Sequence, residues 1–242
     1  MSDKKFSIAI IGAGGGIGSE FVRQFSEDKY IEKIYAFTGS DQKFTNDKVI
    51  INKIDIENED SIKQASEIAG KDTPLDLVIV AVGMLHQDKL MPEKTIKNLS
   101  KENFQQIYNI NTIAPAIIAK HFLPKLNKDS KSIFTALSAR VGSISDNKLG
   151  GWYAYRASKS ALNMILKNLS IEINRSNKNA VIIGLHPGTV DSKLSKPFQA
   201  AVKEDKLFTA EYSVGKLITV IKNSTHEDSG KIFDYEGAEI EY

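Results

Sequence analysis

The 242-residue sequence predicts an α/β protein, a doubly wound parallel sheet of about seven strands with helices on both faces. Three observations lead there. Short runs rich in Ile, Val and aromatics alternate with longer helical patterns along the whole chain. Those runs are apolar throughout rather than at every second residue, as strands buried on both faces are. A glycine-rich turn joins the first run to the first helical pattern. No linker, repeat or low-complexity segment breaks the rhythm, so one domain is expected over 1–242.

The elements follow in order. FSIAII (6–11) opens the sheet, GAGGGIG (12–18) turns the chain, and a helix is expected over 17–27. KIYAFT (33–38) and VIINKIDI (49–56) are the next strands, followed by a helix over 59–69. Gly70 stands just past its end, where glycine closes helices. DLVIVAV (76–82) precedes a long helical pattern over 100–126 that carries Pro115 in its interior. KSIFTALS (131–138), a helix over 153–175, AVIIGLH (180–186), a helix over 210–223 and GKIFDY (230–235) complete the series.

Composition removes several function classes. Net charge is +2 and the basic residues are scattered, which gives no footprint for nucleic acid. The chain has no cysteine, and His86, His121, His186 and His226 show no ligand spacing, so no metal site is expected. No run of eighteen apolar residues occurs, and the basic opening MSDKK is not followed by the apolar stretch of a signal peptide. A cytoplasmic protein acting on a small molecule, away from membranes, is the expectation.

The glycine run sits at a strand-to-helix turn, where free amides of a helix N-terminus bind phosphate. The spacing G-x-G-x-x-G fails, because Ile17 stands at its third position; G-x-x-x-G-x-G fits Gly12, Gly16 and Gly18. Gly12 would permit the sharp exit from the strand, Gly16 the approach of backbone to pyrophosphate, and Gly18 close helix packing. A tight turn without a ligand is the competing reading. A flexible spacer is not, since strongly patterned segments flank the run.

Tyr155 and Lys159 are four apart at the start of a helix and share a face. Tyr212 and Lys216 have the same spacing but read as an amphipathic surface pair. Only Tyr155 follows a strand, KSIFTALS, whose terminal Ser138 would face a ligand crevice. Moving a tyrosine from about 10 to about 7 takes roughly 4 kcal/mol. One ammonium at about 4–5 Å supplies roughly 3–4 kcal/mol at an effective dielectric near 20. Tyr155 would then exchange a proton with a carbonyl or alcohol oxygen, and Ser138 would hold that oxygen. Pro115 cannot donate to the carbonyl four residues earlier, that of Asn111, so a kink there would free the Asn111 main-chain oxygen to hold a water leading to Lys159. The competing reading is a kink that only wraps the helix around the sheet.

Together these residues resemble the short-chain dehydrogenase/reductases. The resemblance rests on Gly12, Gly16, Ile17 and Gly18, on Asp55–Ile56 after the third strand, and on the tetrad Asn111, Ser138, Tyr155 and Lys159. Pro187–Gly188 follows the sixth strand, with Val190 and Ser192 where the family contacts the nicotinamide carboxamide and phosphates. It implies a Rossmann-type domain, an NAD(P)-dependent carbonyl reductase or alcohol dehydrogenase, a substrate loop around 191–207, and a homodimer or homotetramer built on the helices carrying Asn111 and Tyr155. LSARVGSISDNKLGGWYAYRASKSALNM and LHPGTVDSKLSKPF are most similar to the C-factor-like branch, associated with cell-to-cell signalling. That leaves open a dinucleotide-binding signalling or regulatory protein with secondary or no catalysis. An extended-type epimerase is disfavoured by length. Two positions depart from the family: VAVG (80–83) keeps only Gly83 of the usual Asn-Asn-Ala-Gly, and Ile11 replaces a threonine.

The second strand ends in FTGS, so Thr38 and Ser40 stand where an acidic residue would select NAD, and Asp41 comes slightly late. Their hydroxyls suit a 2′-phosphate, with Lys43 as the nearby cation. NADP is favoured over NAD. Residues 84–100 and 143–152, with Met84, Leu85, His86, Met91 and Trp152, are expected to line a partly apolar pocket.

Overall fold

β1 (Phe6–Ile11) is buried almost throughout, with Ile8 and Ile10 in one core and Ala9 and Ile11 in the other. Burial on both faces is why its sequence does not alternate. It pairs in parallel with β2 (Ile31–Thr38) and with β4 (Leu77–Val80). β3 (Val49–Lys53) lies beyond β2, while β5 (Ser132–Leu137), β6 (Ala180–His186) and β9 (Ile232–Asp234) continue beyond β4. The sheet is parallel throughout, in the order β3-β2-β1-β4-β5-β6-β9. β7 (Thr189–Val190) and β8 (Leu207–Phe208) form a separate two-stranded ribbon. This computed structural model describes residues 5–87 and 90–242, without the side chains of Ala201 and Glu204. Asp88 and Lys89, within the segment expected to line the pocket, lie outside the described residues.

α1 (Gly16–Glu27) and α6 (Ala210–Asn223) cover one face through Phe21, Val22, Phe25, Val214, Leu217 and Ile221. α2 (Glu59–Ala69), α4 (Ala114–Phe122) and α5 (Tyr153–Ile173) cover the other through Ile62, Ala65, Ile118, Phe122, Leu162 and Leu166. The helix ends are fixed locally. Asn58 caps α2 by accepting from the Ser61 amide, Gly70 closes it, and Thr209 caps α6 by accepting from Tyr212. Each such cap contributes about 1 kcal/mol.

The single kinked helix expected over 100–126 is divided instead. α3 (Lys101–Tyr108) runs into a π-helical turn, Asn109–Ile113, which α4 continues with Pro115 in its first turn. The Ala114 amide reaches back to the Asn109 carbonyl, five residues away. Widening the turn lets the chain absorb a proline without a donor, and such turns concentrate at functional sites.

The sheet order reverses direction between β1 and β4, which opens a crevice at their carboxyl ends. Register aligns Ile11 with Val80, Val80 with Ala136, and Leu137 with Leu185. The glycine turn, the 81–83 segment, Ser138 and Pro187 therefore leave the sheet at one level.

Candidate active site

At the end of β1, Gly12 has φ +91° and a side chain there would meet the Ala81 carbonyl at 2.6 Å. A Cβ on Gly18 would collide with the Gly12 carbonyl, so α1 packs directly on the turn. Gly15 and Gly16 are exposed at the start of α1, whose first turn has no acidic residue and no side-chain cap. Its leading amides are therefore available to an anion. Gly16 also lies opposite Ser192, 3.8 Å from a Cβ built on the glycine.

Gly14 has a role that the G-x-x-x-G-x-G spacing does not assign. A Cβ there would run into the Thr38 hydroxyl and come within 2.6 Å of the Ser40 hydroxyl. The end of β2 is thus pressed against the glycine turn. Thr38 is buried and accepts from the Ser40 amide at 3.1 Å, whereas Ser40 is exposed. Asp41 turns outward to an ion pair with Lys53. Gln42, rather than the exposed Lys43, approaches the turn, its Nε2 3.4 Å from the Gly14 carbonyl. Asp55 and Ile56 follow β3; Asp55 is exposed and accepts from the Glu57 amide, and Ile56 packs on the core.

The structure brings Asn111, Ser138, Tyr155 and Lys159 to the mouth of this crevice. Asn111 and Lys159 flank Gly83: a Cβ on the glycine would lie 3.7 Å from Asn111 Oδ1 and 3.6 Å from Lys159 Nζ. Asn111 is fully buried, and its side chain accepts from the Met84 amide at 2.7 Å and donates to the Met84 carbonyl at 2.8 Å. It also donates to Ser158 Oγ, which donates in turn to the Tyr155 carbonyl. The Asn111 side chain therefore ties the loop after β4 to the first turn of α5, a use separate from the main-chain role expected of it. Lys159 Nζ donates to the Leu137 carbonyl at 2.8 Å and stands 5.9 Å from the centre of the Tyr155 ring. Ser138 Oγ donates to Asn163 Oδ1 at 2.6 Å.

Burial dominates the electrostatics. It pushes Tyr155 up to about 12 and Lys159 down to about 8, each towards its neutral form. The sequence chemistry expected Lys159 to lower the phenol. Here the ammonium is directed at the Leu137 carbonyl rather than held beside the phenol oxygen, and desolvation outweighs its attraction.

Pro187, Gly188, Val190 and Ser192 form the crevice's other wall. Gly188 has φ +73°, and the Pro187 carbonyl accepts from Ser213 of α6. Val190 and Thr189 pair with Phe208 and Leu207, which staples the base of the 191–206 loop. Its tip lies over the start of α5: the Lys193 carbonyl is 3.2 Å from His86 Nε2, and Phe198 packs against Trp152 with ring centres 5.0 Å apart. Tyr212 and Lys216 lie elsewhere, on α6, with Tyr212 45% exposed.

Asn163 and Ser158 belong to none of the motifs above, yet both are buried against the tetrad. They had a signal. The buried stripe of α5 includes Ser158, Lys159, Asn163 and Ser170, polar residues where an amphipathic helix should be apolar. Glu93 is a further omission. Its carboxylate is buried and accepts from the Ala154 amide, capping α5 from a distant segment.

Known proteins share this architecture. The short chain dehydrogenase family profile matches residues 7–203. The 1-hydroxy-2-glutathionyl-2-methyl-3-butene dehydrogenase of Rhodococcus sp. (strain AD45) is 28% identical over 239 residues, 98% of this chain and 99% of that protein. The C-signal of Myxococcus xanthus is 33% identical, over 55% of this chain and 75% of its own. The crystal structure of NADPH-bound carbonyl reductase from chicken fatty liver superposes with a TM-score of 0.84 at 26% identity, covering 99% of this chain and 100% of that one.

Proposed function

The chain belongs to the short-chain dehydrogenase family and is an oxidoreductase, and from that premise we propose that it is an NADP-dependent carbonyl reductase or alcohol dehydrogenase using Asn111, Ser138, Tyr155 and Lys159. The observation that carries this reading is the convergence of these four residues on the crevice that the glycine turn opens.

The residues fit a dinucleotide. Close packing at Gly12 and Gly14 shapes the turn, Gly15 and Gly16 leave it open beside the uncapped amides of α1, and Ser192 stands opposite Gly16. Bound there, a nicotinamide dinucleotide supplies or accepts the hydride. Tyr155, a phenol that burial keeps protonated well above neutral pH, gives its proton to the carbonyl oxygen in reduction and recovers it in oxidation. Ser138 donates to the same oxygen once its hydroxyl turns from Asn163. Lys159, beside the Tyr155 ring, stabilises the phenolate left behind. Asn111 fixes the loop after β4 against α5 and so positions Tyr155.

Two features support NADP. Asp41, the acid nearest the end of β2, is 99% exposed and paired with Lys53, so its charge is turned from the cradle and compensated. The Thr38 and Ser40 hydroxyls meet the glycine turn instead, and the chicken fatty liver enzyme is described as NADPH-bound. NAD is the alternative. Titrating the protein with NADPH and NADH while following nicotinamide fluorescence tests both: tighter NADPH binding is expected, tighter NADH binding assigns NAD, and binding of neither overturns the reading. With cofactor binding established, Tyr155→Phe should keep it and lose turnover.

The likeness to C-signal supports a second reading, a dinucleotide-binding signalling or regulatory protein of the C-factor-like branch. Saturable cofactor binding with no turnover across carbonyls and alcohols would favour it. Assembly as a homodimer or homotetramer belongs to the first reading and is supported by Ile113, Met164 and Ile171, at least half exposed on the π turn and α5. One domain over 1–242, with a substrate loop around 191–207, completes the proposal.

A further inference from the structure

The approach to α5 holds three consecutive residues in the left-handed region: Gly150 at φ +64°, Gly151 at +66° and Trp152 at +51°. Glycine adopts this conformation freely, but a bulky residue does so only where its surroundings over-determine it. Among the described residues Trp152 is the only non-glycine with positive φ. What holds it is Glu93. The Glu93 carbonyl accepts from the Trp152 amide, and its carboxylate accepts from the Ala154 amide, so both sides of Trp152 are anchored to one buried residue.

The consequence is a particular placement of the indole. Its ring meets Tyr155 edge-on, with centres 6.2 Å apart at 77°, and meets Phe198 at 5.0 Å and 60°. Phe198 also meets His86 at 5.7 Å and 67°. Three separate parts of the chain thus carry a continuous series of edge-to-face rings that ends on the tyrosine expected to exchange the proton. Phe198 belongs to a loop fastened at its base by the pairing of β7 and β8. Ring quadrupoles favour another ring at these separations and angles over an aliphatic group of equal size.

We propose that the loop carrying Phe198 swings away from Trp152 to admit a planar aryl group bonded to the substrate carbonyl, the two rings then forming an aromatic clamp in which Trp152 sets that preference. The proposal rests on the oxidoreductase reading for its chemistry, but the clamp itself is defined by ring contacts. The balanced step is reduction of an aryl ketone by NADPH: hydride adds to the carbonyl carbon, Tyr155 protonates the oxygen, and an aryl carbinol and NADP are formed.

The probes are acetophenone and acetylcyclohexane, which differ in the aromaticity of one ring. Intrinsic reactivity cancels when their kcat/KM ratio is compared between variants. Trp152→Leu and Phe198→Leu should each lower the acetophenone-to-acetylcyclohexane ratio by roughly three- to tenfold, the size of one aromatic contact. Phe198→Leu leaves the strained approach to α5 untouched, so it remains informative if Trp152→Leu folds poorly. An unchanged ratio, with both ketones slowed alike, overturns the clamp.

A second readout needs no turnover. Trp152 is the only tryptophan of the chain, so intrinsic fluorescence reports on this site alone. Saturable quenching by acetophenone, weakened several-fold in Phe198→Leu, is expected. If neither ketone is reduced, the proposed activity fails while this titration still decides the clamp. Quenching that never saturates, or is equal in wild type and Phe198→Leu, overturns it.

Discussion

Lys159 holds an ammonium where the fold makes protonation difficult. It is 2% exposed, and burial lowers it from 10.5 to about 8. A shift of that size corresponds to about 3 kcal/mol of disfavoured charge. The sign follows from the unfolded chain binding the proton more tightly. The full cost is present below about pH 8 and disappears as pH rises through the ordinary lysine value. Lys159→Met removes this cost but leaves the Leu137 carbonyl without its partner, a loss of roughly 1–3 kcal/mol. Urea unfolding at pH 7 should therefore find the variant no less stable than wild type, within about 1 kcal/mol. At pH 10 wild type should have gained on it, and parallel stabilities at the two pH values would contradict the assignment. The same group predicts the activity profile. Tyr155, pushed up to about 12, stays protonated across the working range, so carbonyl reduction should be flat at neutral pH and fall as pH rises through about 8, where Lys159 discharges. A profile that breaks only below neutrality would assign the limiting proton elsewhere.

Among the elements, α5 depends most on distant parts of the chain. Its N-cap residue is Trp152, which offers no capping side chain, and Glu93 supplies the missing acceptor. A carboxylate also interacts favourably with the positive end of a helix. Glu93→Ala should lower stability by about 1–2 kcal/mol, the usual size of a lost cap. It should also reduce kcat more than it raises KM, because Tyr155 lies in the turn that the cap fixes. Glu93→Gln, which keeps an amide oxygen for Ala154, should restore most of both, and thermal melts with steady-state kinetics check this. Equal losses in the two variants would mean that the charge, not the acceptor, matters. The same helix shows what sequence can carry. Tyr155 and Lys159 were legible because helical spacing places them on one face, and Ser138 because a strand end faces the crevice. Asn163 and Ser158 were legible in principle, as polar residues on a buried stripe. Glu93 as a cap, the left-handed Trp152 and the π turn at Asn109–Ile113 were not. Each is fixed by partners far away in the chain, or by a hydrogen-bond pattern that propensity does not encode.

At the scale of the molecule, the sheet places its chemistry near the centre and another, unpaired titratable group near its edge. His186 ends β6 opposite Asp234 of β9, which accepts from Arg140 at 2.8 Å. Its Nδ1 is buried without a hydrogen-bond partner among the described residues. Burial first, then the Arg140 charge, lowers it to about 4, against the opposing pull of Asp234. Since the folded value lies below 6.5, the unfolded chain takes up the proton first as pH falls. The stability associated with neutral His186 is thus complete above about pH 6.5 and lost progressively towards pH 4, by on the order of 2–3 kcal/mol. Asp28 and Glu59, paired with Lys222 and Lys120, are lowered below the usual carboxylate values and contribute their losses further into acid. Their losses begin near the unfolded values of 4.5 and 3.8, so the interval from pH 6.5 to about 5 isolates the histidine from these pairs. His186→Gln should flatten the dependence of unfolding free energy on pH across that interval while leaving the limb below about pH 4 unchanged. The sheet edge would then be the first part of the fold to yield on mild acidification, while the glycine turn, beyond β5 and β4 from that edge, keeps its arrangement. Equal slopes in wild type and variant would place the acid sensitivity in the carboxylates instead.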